Sequence, residues 1–184
     1  MHAAAVGPIS RPASGRRLLH ISAMRTLVLG LGNPILKDDS IGLRVVEALR
    51  PHLADHEGVE LDVDYWGGLR LMERLVGYDQ AVIIDAICTG EVPPGTLRWL
   101  AVDDIPTQRS ASAHDMNLPT ALELGCQAGA HLPDKDHILL LGIEAADVQS
   151  FSEDLSPEVE QAIPQAIEAV LAVLSKRDGP SSPY

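Results

Sequence analysis

The sequence has few aromatic residues and few cysteines. Phe, Trp and Tyr together make up 3% of its 184 residues, so the core must be built from Val, Ile, Leu and Ala. The two cysteines, Cys88 and Cys126, lie far apart and form no Cys-x-x-Cys pair. This spacing argues against a disulfide framework and a zinc knuckle, and it is typical of a reducing compartment. We therefore expect a cytoplasmic protein.

Positive charge is also scarce. The chain has 14 Lys and Arg against 26 Asp and Glu, which gives a formal net charge of −12. Such a balance argues against a nucleic-acid partner and against binding to an anionic membrane surface, because both favour basic patches. No segment is apolar for long enough to predict a membrane span.

The length suits one domain with a sizeable core. Residues 1–23 mix Ala, Pro, Ser, Gly and Arg without a sustained period, and we interpret them as a disordered or mis-annotated extension. Met24 stands directly before the first predicted strand and is a candidate start. We expect a single α/β domain over residues 24–175, followed by a flexible tail over residues 176–184.

Apolar runs alternate with stretches of helical spacing along this domain. The predicted strands cover residues 26–30, 59–64, 81–84, 96–102 and 138–143. The predicted helices cover residues 39–49, 67–76, 117–128 and 157–174, with Pro51 beyond the end of the first and a kink at Pro164 in the last. This order predicts a three-layer αβα sandwich with a largely parallel sheet and at least one antiparallel strand, the fourth.

The first predicted strand breaks into a Gly30-Leu-Gly32-Asn33 turn, and Asp38 and Asp39 follow just before a helix. Open α/β sheets keep their sites at the carboxyl ends of strands. Dinucleotide-binding folds hold phosphate there, but Ile35 stands where the third glycine of that motif would be. Because this loop offers negative charge, we expect it to attract a cation.

Two further residues complete a candidate site. Asp85 follows the third predicted strand, and His114 lies in a polar loop before a helix. Neighbouring parallel strands end at one edge of the sheet, so two carboxylates and an imidazole can converge into a ligand set for a divalent metal. Each residue also has a structural interpretation: Asp38 or Asp39 as a helix N-cap or first-turn acid, Asp85 as a loop residue, and His114 as a surface or capping histidine.

In these features the chain resembles the hydrogenase maturation endopeptidases, which remove a short C-terminal peptide from the large subunit of nickel–iron hydrogenases after nickel insertion. The resemblance runs from about residue 24 to residue 174. It rests on five segments in order: Gly30-Leu-Gly32-Asn33, Asp38-Asp39-Ser-Ile-Gly42, Ile83-Ile84-Asp85-Ala86 with the following Gly/Pro-rich turn, Ser112-Ala-His114-Asp-Met-Asn117, and Leu141-Gly142-Ile143-Glu144 before the last helix.

The resemblance implies an aspartic-type endopeptidase with a phosphorylase/hydrolase-like fold. It implies that Asp39, Asp85 and His114 are the catalytic residues and the contacts to nickel. The nickel would belong to the large-subunit precursor, which is the implied partner, and the free protein would not bind it stably. Asp64 is an ambiguous match to a further aspartate of the family.

Two other functions stay open from the sequence. A non-catalytic nickel carrier would use the same three ligands. Peptidyl-tRNA hydrolases resemble the chain over Leu29–Pro34, but they differ from it at Asp38-Asp39-Ser-Ile-Gly42, and an acidic protein suits a tRNA substrate poorly.

Overall fold

A computed structural model describes residues 24–65, 69–104 and 118–177. Its strands are β1 (Thr26–Leu31), β2 (Val59–Asp64), β3 (Gln80–Ile87), β4 (Leu97–Ala101) and β5 (Ile138–Glu144). Its α-helices are α1 (Ile41–Leu53), α2 (Leu69–Leu75), α3 (Leu118–Gln127), α4 (Pro157–Glu160) and α5 (Ile163–Arg177). Short 3₁₀ turns cover Asp38–Ser40, Val102–Asp104 and Lys135–His137.

The five strands form one sheet in the order β2-β1-β3-β5-β4. The first four strands of that order are parallel, and β4 pairs antiparallel with β5 at one edge. The central strands β1, β3 and β5 are apolar runs because helices cover both of their faces. Strand β2 alternates apolar and polar residues, as expected for its position at the other edge. The predicted fold class is confirmed.

Helices lie on both faces of the sheet. One core joins the sheet to α1, α4 and α5 through residues such as Val46, Ile84 and Val170. The other joins the opposite face to α2 and α3 through residues such as Ile83 and Leu122. Since successive side chains of a strand point to opposite faces, Ile83 and Ile84 belong to different cores.

Glycines allow the turn before α1 to touch the ends of the central strands. A Cβ on Gly42 would overlap the backbone carbonyls of Leu31 in β1 and Ile84 in β3. Likewise, a Cβ on Gly30 would overlap the carbonyl of Gly42. Gly32, with φ 139°, lies against the backbone carbonyl of Asp39. Helix α1 therefore begins in direct contact with β1 and β3.

Two predicted boundaries near this region were wrong. Asp85 does not follow β3 but lies inside it, because pairing with β5 extends the strand to Ile87. Helix α1 does not stop before Pro51 but includes it and runs to Leu53. Pro51 is exposed in the last turn of α1. Two more helical residues follow it, and the second, Leu53, is 6% exposed and packs in the core.

The last predicted helix is two helices. A turn at Gln161 and Ala162 separates α4 from α5, so Pro164 does not kink a continuous helix. It is the second residue of α5, in the first turn, where a proline removes no helical hydrogen bond. Helix α5 continues to Arg177, into the segment predicted as a tail.

No described helix is long and apolar enough to span a membrane. Residues 1–23, predicted as an extension, and residues 178–184 lie outside the described part of the chain.

The glycine contact predicts the effect of adding one methyl group. We expect Gly42→Ala to lower the free energy of unfolding by about 1–3 kcal/mol, because the new Cβ must push α1 off two backbone carbonyls. The measurement is urea denaturation followed by circular dichroism. Gly125→Ala is the matched control, since its Cβ would meet only the side chains of Leu132 and Met72, which can move. Equal stability of the two variants would contradict the prediction.

Candidate active site

The sheet has a topological switch point between β1 and β3. The connection after β1 leads through α1 to β2 on one side, whereas the chain after β3 goes on to β4 and β5 on the other. At such a point the outgoing loops diverge and leave a crevice at the carboxyl ends of the strands, where open α/β sheets bind ligands. Asp39 and Asp85 belong to the two segments at this crevice.

Asp39 is held at the end of β1 by the turn that precedes it. The residue is 6% exposed, and its carboxylate accepts a hydrogen bond of 2.7 Å from the backbone N–H of Asn33. The side chain of Asn33 in turn accepts a hydrogen bond of 3.2 Å from the N–H of Ile35. The Gly-Asn turn thus fixes one carboxylate at the switch point.

Asp38 has a different partner set and a structural role. It is fully buried, and its carboxylate accepts hydrogen bonds from three backbone N–H groups: Ala146 and Asp147 at 2.9 Å and Ser156 at 2.6 Å. Its own N–H donates to the carbonyl of Asp147 at 3.0 Å. Asp38 therefore fastens the segment between β5 and α4 to the start of α1. The residue before α1 is Ser40, so the interpretation of Asp38 or Asp39 as the N-cap of α1 was wrong.

Asp85 lies across the switch point from Asp39. It pairs with Gly142 of β5 and is partly buried. By the alternation of the strand its side chain shares the face of Ile83, the face covered by α2 and α3. Its carboxylate accepts a hydrogen bond of 2.9 Å from the N–H of Ala86. Asp85 thus lies near the carboxyl end of β3, the end of the sheet at which the crevice is expected.

Cys88 follows β3 directly, and its thiol lies in a negatively charged environment at the carboxyl ends of the strands. Burial raises the pKa of Cys88, and four surrounding carboxylates raise it further. In decreasing order of effect they belong to Glu144, Asp39, Asp38 and Asp85. Because a thiol is nucleophilic only as the thiolate, this setting suppresses nucleophilic chemistry at Cys88. Asp39 and Asp85 therefore both contribute to the negative electrostatic environment of the Cys88 thiol.

Glu144 is a site-forming residue to which the sequence analysis gave no role. It ends β5 and is 2% exposed. Its carboxylate accepts hydrogen bonds from the N–H and hydroxyl of Thr89, both 2.8 Å, and from the N–H of Gly90, 2.7 Å. These bonds hold the loop that follows β3. An acid directly after the apolar run of β5 was the available signal.

Asp64 ends β2 at the same sheet edge. Its carbonyl accepts a hydrogen bond of 3.2 Å from the N–H of Gly32. Its carboxylate lies 3.8 Å from Arg70 Nε and 3.6 Å from Arg74 Nε, and Arg74 also pairs with Asp62. Asp64 thus joins α2 to the edge of the sheet, and the two arginines place positive charge beside the acidic crevice.

His114, the third predicted site residue, lies outside the described residues. Within the described ranges no three His, Cys, Asp or Glu side chains are arranged to hold a metal ion. The structure therefore places Asp39 and Asp85 at the carboxyl ends of the neighbouring strands β1 and β3, and the described residues alone form no three-ligand metal site.

Comparison with known proteins identifies the family. The model of the hydrogenase maturation protease family matches residues 43–173. The chain is 33% identical to hydrogenase 2 maturation protease of Escherichia coli over 153 residues, covering 82% of this chain and 91% of that protein. It is 31% identical to the hydrogenase expression/formation protein HupD of Thiocapsa roseopersicina, covering 82% of this chain and 67% of that protein.

The chain belongs to the hydrogenase maturation protease family. The fold is that of solved family members. The hydrogenase maturating endopeptidase HybD from E. coli superposes with a TM-score of 0.68 at 31% identity, covering 84% of this chain and 94% of that one. The maturation protease HybD from Thermococcus kodakarensis superposes with a TM-score of 0.60 at 27% identity, covering 82% and 99%. The predicted family and the assignment as a peptide hydrolase are confirmed.

The two adjacent aspartates of this hydrogenase maturation protease should differ in their effect on stability. We expect Asp38→Ala to lower the free energy of unfolding by about 3 kcal/mol or more, because three backbone N–H groups, that of buried Ser156 among them, lose a charged acceptor. Asp39→Ala is the matched control and should cost less. The measurement is urea denaturation of both variants. An Asp38→Ala variant no less stable than Asp39→Ala would contradict this assignment.

Alkylation of Cys88 tests the convergence of the carboxylates. At pH 8 we expect iodoacetamide to modify exposed Cys126 faster than Cys88, because the raised pKa of Cys88 leaves less thiolate. Asp85→Asn should speed modification of Cys88, since removing a nearby negative charge lowers that pKa. Asp55→Asn removes an equal but distant charge and should have no effect. Mass spectrometry of both cysteines gives the rates, and an unchanged Cys88 rate in Asp85→Asn would contradict the geometry.

Proposed function

We propose that this protease removes the C-terminal extension of the nickel-loaded large-subunit precursor of a nickel–iron hydrogenase. In this proposal Asp39, Asp85 and His114 contact the nickel of the precursor and so restrict cleavage to metal-loaded substrate. The observation that carries it is the placement of two carboxylates, Asp39 and Asp85, on either side of the switch point between β1 and β3.

The two carboxylates are well suited to receive a cation rather than to bind one permanently. Carboxylate oxygens are hard ligands, and a borderline metal such as nickel binds imidazole and thiolate more strongly. Nickel held by cysteines of the precursor would retain those ligands and gain Asp39 and Asp85 as additional ones. The free protease would then bind nickel weakly, whereas the metal-loaded precursor would bind through its own nickel.

The position of His114 in the chain supports its part in the proposal. Leu118, four residues later, is the first residue of α3 and packs in the same core as Ile83. Asp85 shares that face of the sheet with Ile83. In the sequence, His114 therefore precedes a helix that packs on the same face of the sheet as Asp85.

The site offers two routes to hydrolysis. Nickel of the docked precursor can polarise the scissile carbonyl or activate a water molecule. Alternatively, one carboxylate takes a proton from water as the water oxygen attacks the carbonyl carbon, and returns it to the amine when the C–N bond breaks. Asp39 and Asp85 serve either route because both are held at the crevice by the backbone around them.

A processing assay tests the proposal. The purified protease is incubated with nickel-loaded and nickel-free large-subunit precursor from the same organism, and the precursor mass is followed. We expect loss of a C-terminal fragment from the nickel-loaded precursor alone. Asp39→Asn, Asp85→Asn and His114→Ala should each reduce the cleavage rate by at least about a hundredfold, since each removes a group of the site.

Matched controls separate the site from general effects of charge. Asp55→Asn and His52→Ala change exposed residues at the other end of α1 and should retain full activity. Equal cleavage of nickel-free precursor would overturn nickel sensing. Absence of any cleavage, together with tight nickel binding by the protein alone, would instead indicate a nickel carrier. Wild-type processing by Asp85→Asn would remove that residue from the site.

A further inference from the structure

Glu144 is a buried carboxylate that the proposed hydrolysis does not use. It is 2% exposed, and it binds both ends of residues 88–96, which are called the β3–β4 loop below. Near the start of the loop, its carboxylate accepts the hydrogen bonds from Thr89 and Gly90. Near the end of the loop, its backbone carbonyl accepts a hydrogen bond of 2.8 Å from the N–H of Gly95. One residue of β5 therefore determines the path of this loop.

The bonded part of the loop lies on the Asp85 side of the sheet. Asp85 and Ile87 share one face of β3, because successive side chains of a strand point to opposite faces. A Cβ on Gly142 of β5 would meet the side chain of Ile87, so Gly142 is directed to that same face. Glu144 follows two residues later and shares it. The carboxylate of Glu144 thus holds the start of the β3–β4 loop on the face that carries Asp85.

The turn after β1 and the β3–β4 loop are the two walls of the crevice at the switch point, because the outgoing chains of β1 and β3 diverge there. On the first wall, the N–H of Asn33 holds the carboxylate of Asp39. The second wall begins at Cys88, whose pKa is raised by burial and then by carboxylates that include those of Asp39 and Asp85. A peptide that reaches these two carboxylates therefore also contacts the β3–β4 loop.

The outer side of this loop is accessible backbone. Gly90 is exposed and has a φ of 66°, and a Cβ built on it would meet no described atom within 4 Å. Its N–H is directed inward to Glu144. Among the described residues, none donates a hydrogen bond to the carbonyl of Thr89 or of Gly90. The main chain of a substrate can thus approach this backbone closely and donate hydrogen bonds to it.

We propose that the backbone of Thr89 and Gly90 is a subsite for the extended main chain of the precursor's C-terminal segment, and that Glu144 is the positioning residue that holds this subsite in place. The subsite rests on the proposed function, since the peptide to be cleaved must pass between the two walls of the crevice. Main-chain contacts give affinity for an extended peptide without selecting its side chains. The subsite contributes to binding and takes no part in the chemical step.

Adding a side chain to the outer side of the loop tests the subsite. We expect Gly90→Asn to raise KM for the nickel-loaded precursor by about tenfold and to change kcat by less than about twofold, because the new side chain blocks close approach of the substrate. Asparagine is chosen because it tolerates a positive φ, and the substitution keeps all three hydrogen bonds of the Glu144 carboxylate.

Gly129→Asn is the matched control. Gly129 is also exposed, has a φ of 81°, and a Cβ on it would likewise meet no atom of the described ranges within 4 Å. It lies near the amino end of the sheet, since the carbonyl of His131, two residues later, binds the N–H of Gly77, shortly before β3. We expect equal melting temperatures for the two variants and wild-type KM for Gly129→Asn.

Substitution of Glu144 tests the positioning role. One oxygen of its carboxylate accepts both N–H groups, and the other accepts the hydroxyl of Thr89. Glutamine can keep this pattern, because its carbonyl oxygen accepts the N–H groups and its amide NH₂ donates to the hydroxyl oxygen. We therefore expect Glu144→Ala to raise KM by about tenfold and Glu144→Gln to bring it back to within about threefold of the wild-type value. A Glu144→Gln variant with lowered kcat and unchanged KM would overturn the positioning role, because the charge itself would then matter.

The outcomes separate the subsite from the proposed function. If the wild-type protein cleaves the precursor and Gly90→Asn has the same KM as Gly129→Asn, the subsite is wrong and the proposed function stands. The dissociation constant of the precursor, measured in an Asp85→Asn background to prevent cleavage, should rise with Gly90→Asn by the same factor as KM. Because Glu144→Ala also removes three hydrogen bonds of the fold, Gly90→Asn decides the result if that variant does not fold. No cleavage by the wild-type protein would refute the proposed function and the subsite with it.

Discussion

The site depends on close contact between backbones. Gly30 and Gly42 carry no side chain, so the turn before α1 can lie directly on the ends of β1 and β3. A Cβ at either position would overlap backbone carbonyls, so the start of α1 and the neighbouring Asp39 would have to shift. Packed cores on both faces of the sheet then hold the strands in place. The position of the Asp39 carboxylate thus depends on glycine at both Gly30 and Gly42.

The neighbouring residues Asp38 and Asp39 have different roles. Asp38 has a structural role, since its buried carboxylate accepts hydrogen bonds from the backbone N–H groups of Ala146, Asp147 and Ser156. The carboxylate of Asp39 accepts a hydrogen bond from the turn after β1, at the carboxyl end of that strand. Buried carboxylates are costly unless they are fully hydrogen-bonded, and Asp38 and Glu144 both meet that condition. Asp38 and Glu144 are therefore acidic residues with a structural role near Asp39 and Asp85.

Local patterns predicted the five strands along the chain, but not their order in the sheet. The alternation of apolar and polar residues predicted both ends of β2 correctly, because the two faces of an edge strand have different environments and its sequence reflects them. Pairing of β3 with β5 extended β3 past Asp85, and no local pattern reports such pairing. The break between α4 and α5 was missed because Pro164 was interpreted as a kink rather than as the start of a helix. Motif order identified the family, and the resemblance assigned Asp39 to the site, but no local pattern predicted the structural role of Asp38, whose partners lie in distant segments.

The bond from Ser156 to Asp38 joins residues 118 positions apart, nearly two thirds of the chain. Such a contact closes only after both ends of the domain have been synthesised and the sheet between them has formed. Contacts of high sequence separation slow folding and form late. During translation, the segment that positions Asp39 therefore lacks its clamp until α4 has left the ribosome. The hydrogen bonds around Asp38 can therefore be complete only after Ser156, directly before the last two helices, has been synthesised.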